Sequence, residues 1–179
     1  MVKLRKIEIH DLERYGYWKK PIHQYHQLNG PYFKKQSEEE IEIEINQLKQ
    51  ALEKGHPDPL PQKRMITNSQ NEIIGEVNWY WKSEETLWLE VGVVIFDDKL
   101  WKKGIGRLAL TLWIDEVFSA QKEIVRIGLT TWSGNKGMMK LAEKMGLKKE
   151  ATYRKARILN GKYYDSVSYG ILKEEWKNL

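Results

Sequence analysis

The 179-residue chain has no cysteine, which excludes disulfides, cysteine-ligated zinc and a thiol nucleophile together. No apolar run approaches the roughly eighteen residues that a membrane-spanning helix needs. The opening Met1-Val2-Lys3-Leu4-Arg5 has no signal-peptide core, so a soluble, cytoplasmic protein is expected. Proline is scarce. Three of the five stand in His56-Pro57-Asp58-Pro59-Leu60-Pro61, through which neither strand nor helix can propagate. His10, His23, His26 and His56 show no metal-ligand spacing on a helix face, so no metal is expected. There is no repeat, low-complexity stretch or linker, which makes residues 1–179 one domain, large enough for a real core.

Aromatic residues are plentiful, with eight Trp and nine Tyr, more ring surface than a core of this size needs. The net charge of +5 suits an anionic ligand but falls far short of a nucleic-acid-binding tail. A basic, aromatic-rich nucleic-acid binder is nevertheless one reading. Against it, Lys and Arg are spread along the chain, and Glu76, Glu84, Glu85 and Glu90 lie among the rings of the Trp-rich strands.

Taken in order, residues 2–9 alternate as a first strand, and a helix from Asp11 carries Leu12, Tyr15 and Trp18 and ends before Pro21. Residues 22–36 form a loop in which His23 and His26 could line an acceptor pocket. Residues 37–54 alternate in part like a strand (Ile41, Ile43, Ile45). The Ser37/Glu40 capping box and the spacing of Ile41, Ile45, Leu48 and Leu52 favour a helix ended by Gly55. Strands over about 63–68, 73–81 and 86–96 make an antiparallel meander. A strand over 123–132, with Val125, Ile127 and Leu129 on one face, precedes a short helix whose Met138, Leu141, Ala142 and Met145 are buried and which Gly146 caps. Residues 148–158 and 162–171 form a hairpin closed by Asn160-Gly161.

Residues 87–119 organise the rest, as strand, basic loop and helix. Leu87, Leu89, Val91, Val93 and Ile95 share one strand face, with Trp88, Glu90, Gly92, Val94 and Phe96 on the other. After Asp97-Asp98 comes Trp101-Lys102-Lys103-Gly104-Ile105-Gly106-Arg107. Two glycines let the backbone approach a ligand, three cations flank it, and the next helix points free N–H groups into the turn. Such a turn suits a diphosphate. Neither the Walker pattern nor the third glycine of the Rossmann fingerprint is present. In the following helix Arg107, Thr111, Asp115 and Ser119 form a polar stripe on an otherwise apolar cylinder.

This order resembles the GNAT superfamily of acetyl-CoA-dependent N-acetyltransferases. The matching residues are Glu90-Val91-Gly92-Val93-Val94-Ile95, Trp101 to Arg107, and Asn135 with Lys144-Met145-Gly146-Leu147. The tail Asn160-Gly161-Lys162-Tyr163-Tyr164-Asp165 and the closing Glu175-Trp176 look like the branch that modifies ribosomal-protein N-termini. The resemblance implies an α/β (α+β) fold, with a mixed, mostly antiparallel twisted sheet of about seven strands flanked by helices. It implies acetyl-CoA as co-substrate. Its pantetheine arm would lie against Val94, Ile95 and Phe96 in a gap between the fourth and fifth strands. Its diphosphate would sit on the N–H groups of Lys102, Lys103, Gly104, Ile105, Gly106 and Arg107. Asn135 would hold the arm or the thioester, unless it is a helix cap.

Glu90 matches the position of a glutamate base, beside a Gly92 that leaves open space. Without the resemblance it reads as a solvent-facing strand residue. The usual donors to the departing thiolate are missing. Ala142 and Met138 stand in their places, and Arg157 replaces a glutamate of the last hairpin. Tyr153, Tyr163, Ser133 or a water are the substitutes available. Trp79, Tyr80, Trp81 and Trp88 lie on neighbouring strands and could wall a pocket for an amine cation, though cross-strand rings are usually structural. The function implied is transfer of acetyl to a primary amine, on a protein N-terminus or a small molecule. The alternative is a catalytically silent CoA-binding protein. No membrane partner is expected, nucleic acid is disfavoured, and a homodimer is admitted.

Overall fold

A computed structural model describes residues 2–178. The strands are β1 (Lys3–Arg5), β2 (Lys63–Thr67), β3 (Ile73–Ser83), β4 (Trp88–Ile95), β5 (Arg126–Trp132), β6 (Lys148–Leu159) and β7 (Lys162–Leu172). The helices are α1 (Leu12–Lys19), α2 (Glu38–Glu53), α3 (Ile105–Ala120), α4 (Lys136–Lys144) and α5 (Lys173–Trp176). All seven strands form one sheet in the order β1-β2-β3-β4-β5-β7-β6, and among the described residues the β4–β5 junction alone is parallel. The α/β architecture is thus the one expected. No helix among the described residues is long and apolar enough to cross a membrane.

Alternation along β4 divides the interior. Leu89, Val91, Val93 and Ile95 pack with Trp113 and Leu110 of α3 and Ala142 of α4 on one face. Val94 and Phe96 pack on the other face with Leu12 and Tyr15 of α1 and Leu48 of α2. The sheet therefore has α3 and α4 on one side and α1 and α2 on the other, each buried through one apolar stripe.

Local signals account for most boundaries. Glu40 N donates to Ser37 Oγ (3.1 Å) and Ser37 N to Glu40 Oε2 (2.7 Å), so the capping box commits the alternating Ile41–Ile45 stretch to helix. Asn160 and Gly161 both adopt positive φ, the two-residue turn that matches strand twist, and close the β6–β7 hairpin. Three expectations need correction. The first strand ends at Arg5 rather than Ile9, because buried Asp11 accepts from the Arg5 guanidinium (2.5 and 2.8 Å) and from Glu8 N (2.8 Å), folding residues 9–11 into a 3₁₀ turn. The strand expected from 123 starts at Arg126, which leaves Val125 exposed ahead of it. The strand expected from 86 starts at Trp88, since Leu87 sits at φ 54 in the turn.

Candidate functional site

The sheet opens at its parallel junction. β4 and β5 pair through Leu89↔Ile127 and Glu90↔Gly128 and no further. Beyond that, β5 stays with β7 as far as Trp132↔Ser166, and β4 stays with β3 as far as Ile95↔Gly75. The two strands therefore diverge from Glu90 onward. Phe96 N donates to Ile74 O (3.0 Å), which fixes the alternation: the even residues of β4 bond to β3, while Val93 and Ile95 turn their backbone groups toward the gap. This shifts the gap-facing amides away from Val94 and Phe96, whose backbones serve β3. Phe96 itself is buried among Tyr15, Trp18 and Tyr25. The Ile95 carbonyl is taken by the Trp101 indole N–H (3.0 Å), which leaves the Ile95 amide and both Val93 groups beside the opening.

At the far end of β4 the basic turn leads into α3. Lys102 (φ 61) and Gly104 (φ 81) are both left-handed. The amides of Lys102, Lys103 and Gly104 find no backbone acceptor among the described residues, and those of Ile105, Gly106 and Arg107 form the free first turn of a sixteen-residue helix. Lys102, Lys103 and Arg107 have no carboxylate within ion-pair distance among the described residues. A Cβ on Gly106 would lie 3.7 Å from Leu141 and 4.0 Å from Ile95, so the glycine keeps a strip clear between α3, α4 and the end of β4. Converging amides, a helix dipole and three unpaired cations can hold a polyanion.

Glu90 stands at the fork. It is 2% exposed, not the solvent-facing residue that its strand suggests. Its Oε2 accepts from the Tyr80 hydroxyl, its Oε1 accepts from Thr130 Oγ1 (2.8 Å), and Lys82 Nζ lies 3.5 Å from Oε1. Thr130 Oγ1 also lies 3.1 Å from Ser168 Oγ on β7. Burial, the hydrogen bond to Glu90 and its negative charge push the Tyr80 phenol well above the usual range. Gly128 makes room for the carboxylate, because a Cβ there would sit 3.1 Å from Glu90 Cγ. The space expected beside Gly92 is filled, with Asn78 Oδ1 2.6 Å from where a Cβ would be. Tyr80 is paired with Glu90 in the β3–β4 register, so counting back through the meander turn is the signal that finds it. Thr130 and Ser168 carry no such local signal.

The other candidates fall in different places. Asn135 is the cap of α4, with Oδ1 accepting from Met138 N (3.0 Å) and Nδ2 3.4 Å from Leu28 O. Trp79 and Trp81 do not wall a pocket with Glu90: they pack against the α3 core on the opposite face. Trp88 does share the face of Glu90, with Lys82 and Arg126 over its ring. Ala142 is fully buried, and Met138 packs against the same core. Tyr153 and Tyr163 are exposed on the outer hairpin, and Ser133 Oγ accepts from Asp165 N (3.0 Å). Arg157 lies over the Tyr32 ring, which meets Trp132 edge-on.

His23 hydrogen-bonds the Tyr17 carbonyl (2.8 Å). His26, lowered in pKa by burial and by the Lys35 charge, lines a cavity of about 200 Å³ with Tyr15, Tyr25, Glu76 and Lys35. That cavity is on the α1–α2 side, where Tyr15 Oη donates to Glu76 (2.9 Å) and burial holds its phenol un-ionised. Among the described residues no three His, Asp or Glu gather as metal ligands.

Among proteins of known sequence, the uncharacterized N-acetyltransferase YoaA of Bacillus subtilis is 28% identical over 102 residues, 57% of this chain. The match spans 56% of that relative's length. Among solved structures, an acetyltransferase (GNAT family) from Bacillus anthracis superposes with a TM-score of 0.72 at 20% identity, covering 97% of this chain and 96% of that one. The spermidine N-acetyltransferase of Vibrio cholerae, solved with CoA and spermine, gives 0.76 at 19% identity, covering 99% and 98%. The ribosomal-protein-S5-alanine acetyltransferase of Vibrio fischeri gives 0.71 at 22% identity, covering 98% and 94%. These structural likenesses establish the fold. Residues 2–148 match the family model described as the acetyltransferase (GNAT) domain, and the chain belongs to that family.

Proposed function

We propose that this chain transfers an acetyl group from acetyl-CoA to a primary amine. The observation that carries the reading is the β4–β5 fork, with a buried carboxylate at its apex and an unpaired cationic turn at the end of the same strand. When bound, acetyl-CoA supplies an acetyl thioester open to nucleophilic attack. Lys102, Lys103, Gly104, Ile105, Gly106 and Arg107 would hold its diphosphate, and the Val93 and Ile95 backbones would bind its amide-bearing arm as an added strand. Asn135, spent on capping α4, would act on that arm indirectly by fixing the helix end. Glu90 would take the proton that the acceptor must lose. We read residues 1–179 as one domain acting in the cytoplasm, with a homodimer admitted.

Two acceptor classes have support. The tail motif and the Vibrio fischeri relative favour a protein N-terminus, whereas the Vibrio cholerae spermidine enzyme favours a small polyamine. A second reading, CoA binding without turnover, is favoured by buried Ala142 and half-buried Met138 standing where thiolate donors would be. One experiment separates these readings: calorimetric titration with CoA, followed by thiol release from acetyl-CoA across a panel of polyamines, aminoglycosides and N-terminal peptides. Release with one acceptor class supports transfer and names the class. Binding without release supports the silent reading, and absence of CoA binding overturns both.

A further inference from the structure

Glu90 poses a geometric problem for the proposed reaction. With 2% exposure and all three neighbours (Tyr80, Thr130 and Lys82) on its oxygens, it is screened from an amine arriving from solvent. The neighbours differ in what they can pass on. The Lys82 ammonium has donors and no lone pair. Thr130 is half-buried, and its hydroxyl is shared between Glu90 and Ser168. Tyr80 is 44% exposed on the same face of the sheet, donates its phenolic proton to Glu90 Oε2, and keeps lone pairs free for an incoming N–H. It is the bridge from solvent to the carboxylate.

Resting on the acetyl-transfer reading, we propose that Tyr80 is a catalytic residue that relays protons between the reacting amine, Glu90 and the departing thiolate. An incoming ammonium gives one proton to Tyr80 Oη while the phenolic proton moves to Glu90 Oε2. The amine becomes neutral, Glu90 becomes a neutral acid, and the tyrosine is unchanged. The nitrogen lone pair then forms the C–N bond to the thioester carbonyl, and the nitrogen becomes positively charged. As the C–S bond breaks, its electron pair leaves on sulfur. Tyr80 gives its proton to that sulfur and takes one from the nitrogen, yielding amide and CoA thiol. Glu90 later loses its proton to solvent by the same path. The relay thereby fills the role that Ala142 and Met138 leave vacant. The phenol suits it, since its raised pKa keeps it protonated at neutral pH.

The test is Tyr80→Phe, measured beside the wild type with acetyl-CoA and the best acceptor of the amine panel. The expected result is kcat lower by about a hundredfold, within the range for lost acid–base catalysis, with CoA affinity unchanged and a thermal midpoint lowered only as far as the lost hydrogen bond to Glu90 requires, the variant staying folded at the assay temperature. The loss should persist at high pH, where the amine arrives neutral but the thiolate still needs its proton. As a second readout, fluorotyrosine at position 80 lowers the phenol's pKa while keeping its shape and hydrogen bond, so it should shift the pH–rate profile if the phenol transfers protons. A structural role would leave that profile in place. A folded Tyr80→Phe with near-normal kcat, or an unmoved profile with fluorotyrosine, overturns the relay alone. A wild type that binds CoA and releases no thiol with any amine overturns the transfer reading and the relay together.

Discussion

Thr130 Oγ1 donates to Glu90 Oε1 at 2.8 Å, two residues beyond the last β4–β5 register pair. The two diverging strands are thus tied by a side-chain bond where their backbones stop pairing. Through Ser168 the tie continues onto β7, so the fork is held open at a fixed place with a charged group at its apex. Thr130→Val keeps the shape and removes the donor. The expected cost is about 2 kcal/mol of stability, the usual range for a hydrogen bond to a charged acceptor, read as a lower urea midpoint with an unchanged m-value. An unchanged midpoint would mean that the bond contributes nothing to holding the fork.

At the other end of the site the clear strip beside Gly106 is the feature to block. A Cβ there meets Leu141 and Ile95 at ordinary contact distance, so the helix tolerates a side chain. Gly106→Glu adds bulk and a negative charge among amides and cations that have no carboxylate partner among the described residues. The expected result is a folded variant with CoA affinity lowered beyond calorimetric detection. Normal affinity in the folded variant would place the diphosphate elsewhere.

Alkaline stability follows from the buried phenols. Tyr15, Tyr25 and Tyr80 are all raised, each first by burial, and Tyr169, buried and donating to Glu143 Oε1 (3.1 Å), is pushed up to about 12. Above the ordinary phenol pKa of about 10 the unfolded chain sheds these protons while the folded chain keeps them, so the folded state binds more protons and stability falls as pH rises. Below that pH the phenols are protonated in both states, and this contribution is flat. Urea midpoints should therefore decline from pH about 10 upward, and Tyr169→Phe should flatten the decline as far as about 12. A decline unchanged in that variant would assign it to other groups.

Much of this was legible in the chain because its signals are local. The Ser37/Glu40 box decided helix over strand where alternation misled, and Asn160-Gly161 placed the last hairpin. Alternation in β4 put Glu90 and Val91 on opposite faces, and the cationic turn announced itself by composition. What was hidden depends on partners distant in sequence. Asp11 shortens the first strand by capturing Arg5 and the Glu8 amide, a competition that periodicity does not register. Thr130, forty residues from Glu90, reaches it because β5 crosses over beside β4. Trp79 and Trp81 looked like pocket walls because ring content says nothing about which face meets α3.

The central claim is that Glu90 takes the acceptor's proton, and Glu90→Gln tests it most directly. The substitution keeps the side chain's size and leaves one acceptor oxygen for either Tyr80 or Thr130, while removing the basicity. With the best acceptor amine and saturating acetyl-CoA, kcat is measured across pH beside CoA affinity. The expected result is a fall of about a hundredfold or more at neutral pH, little change in CoA affinity, and a smaller loss at high pH, where the amine arrives already deprotonated. A variant that keeps near-normal kcat across the whole range would contradict the assignment and place the base elsewhere.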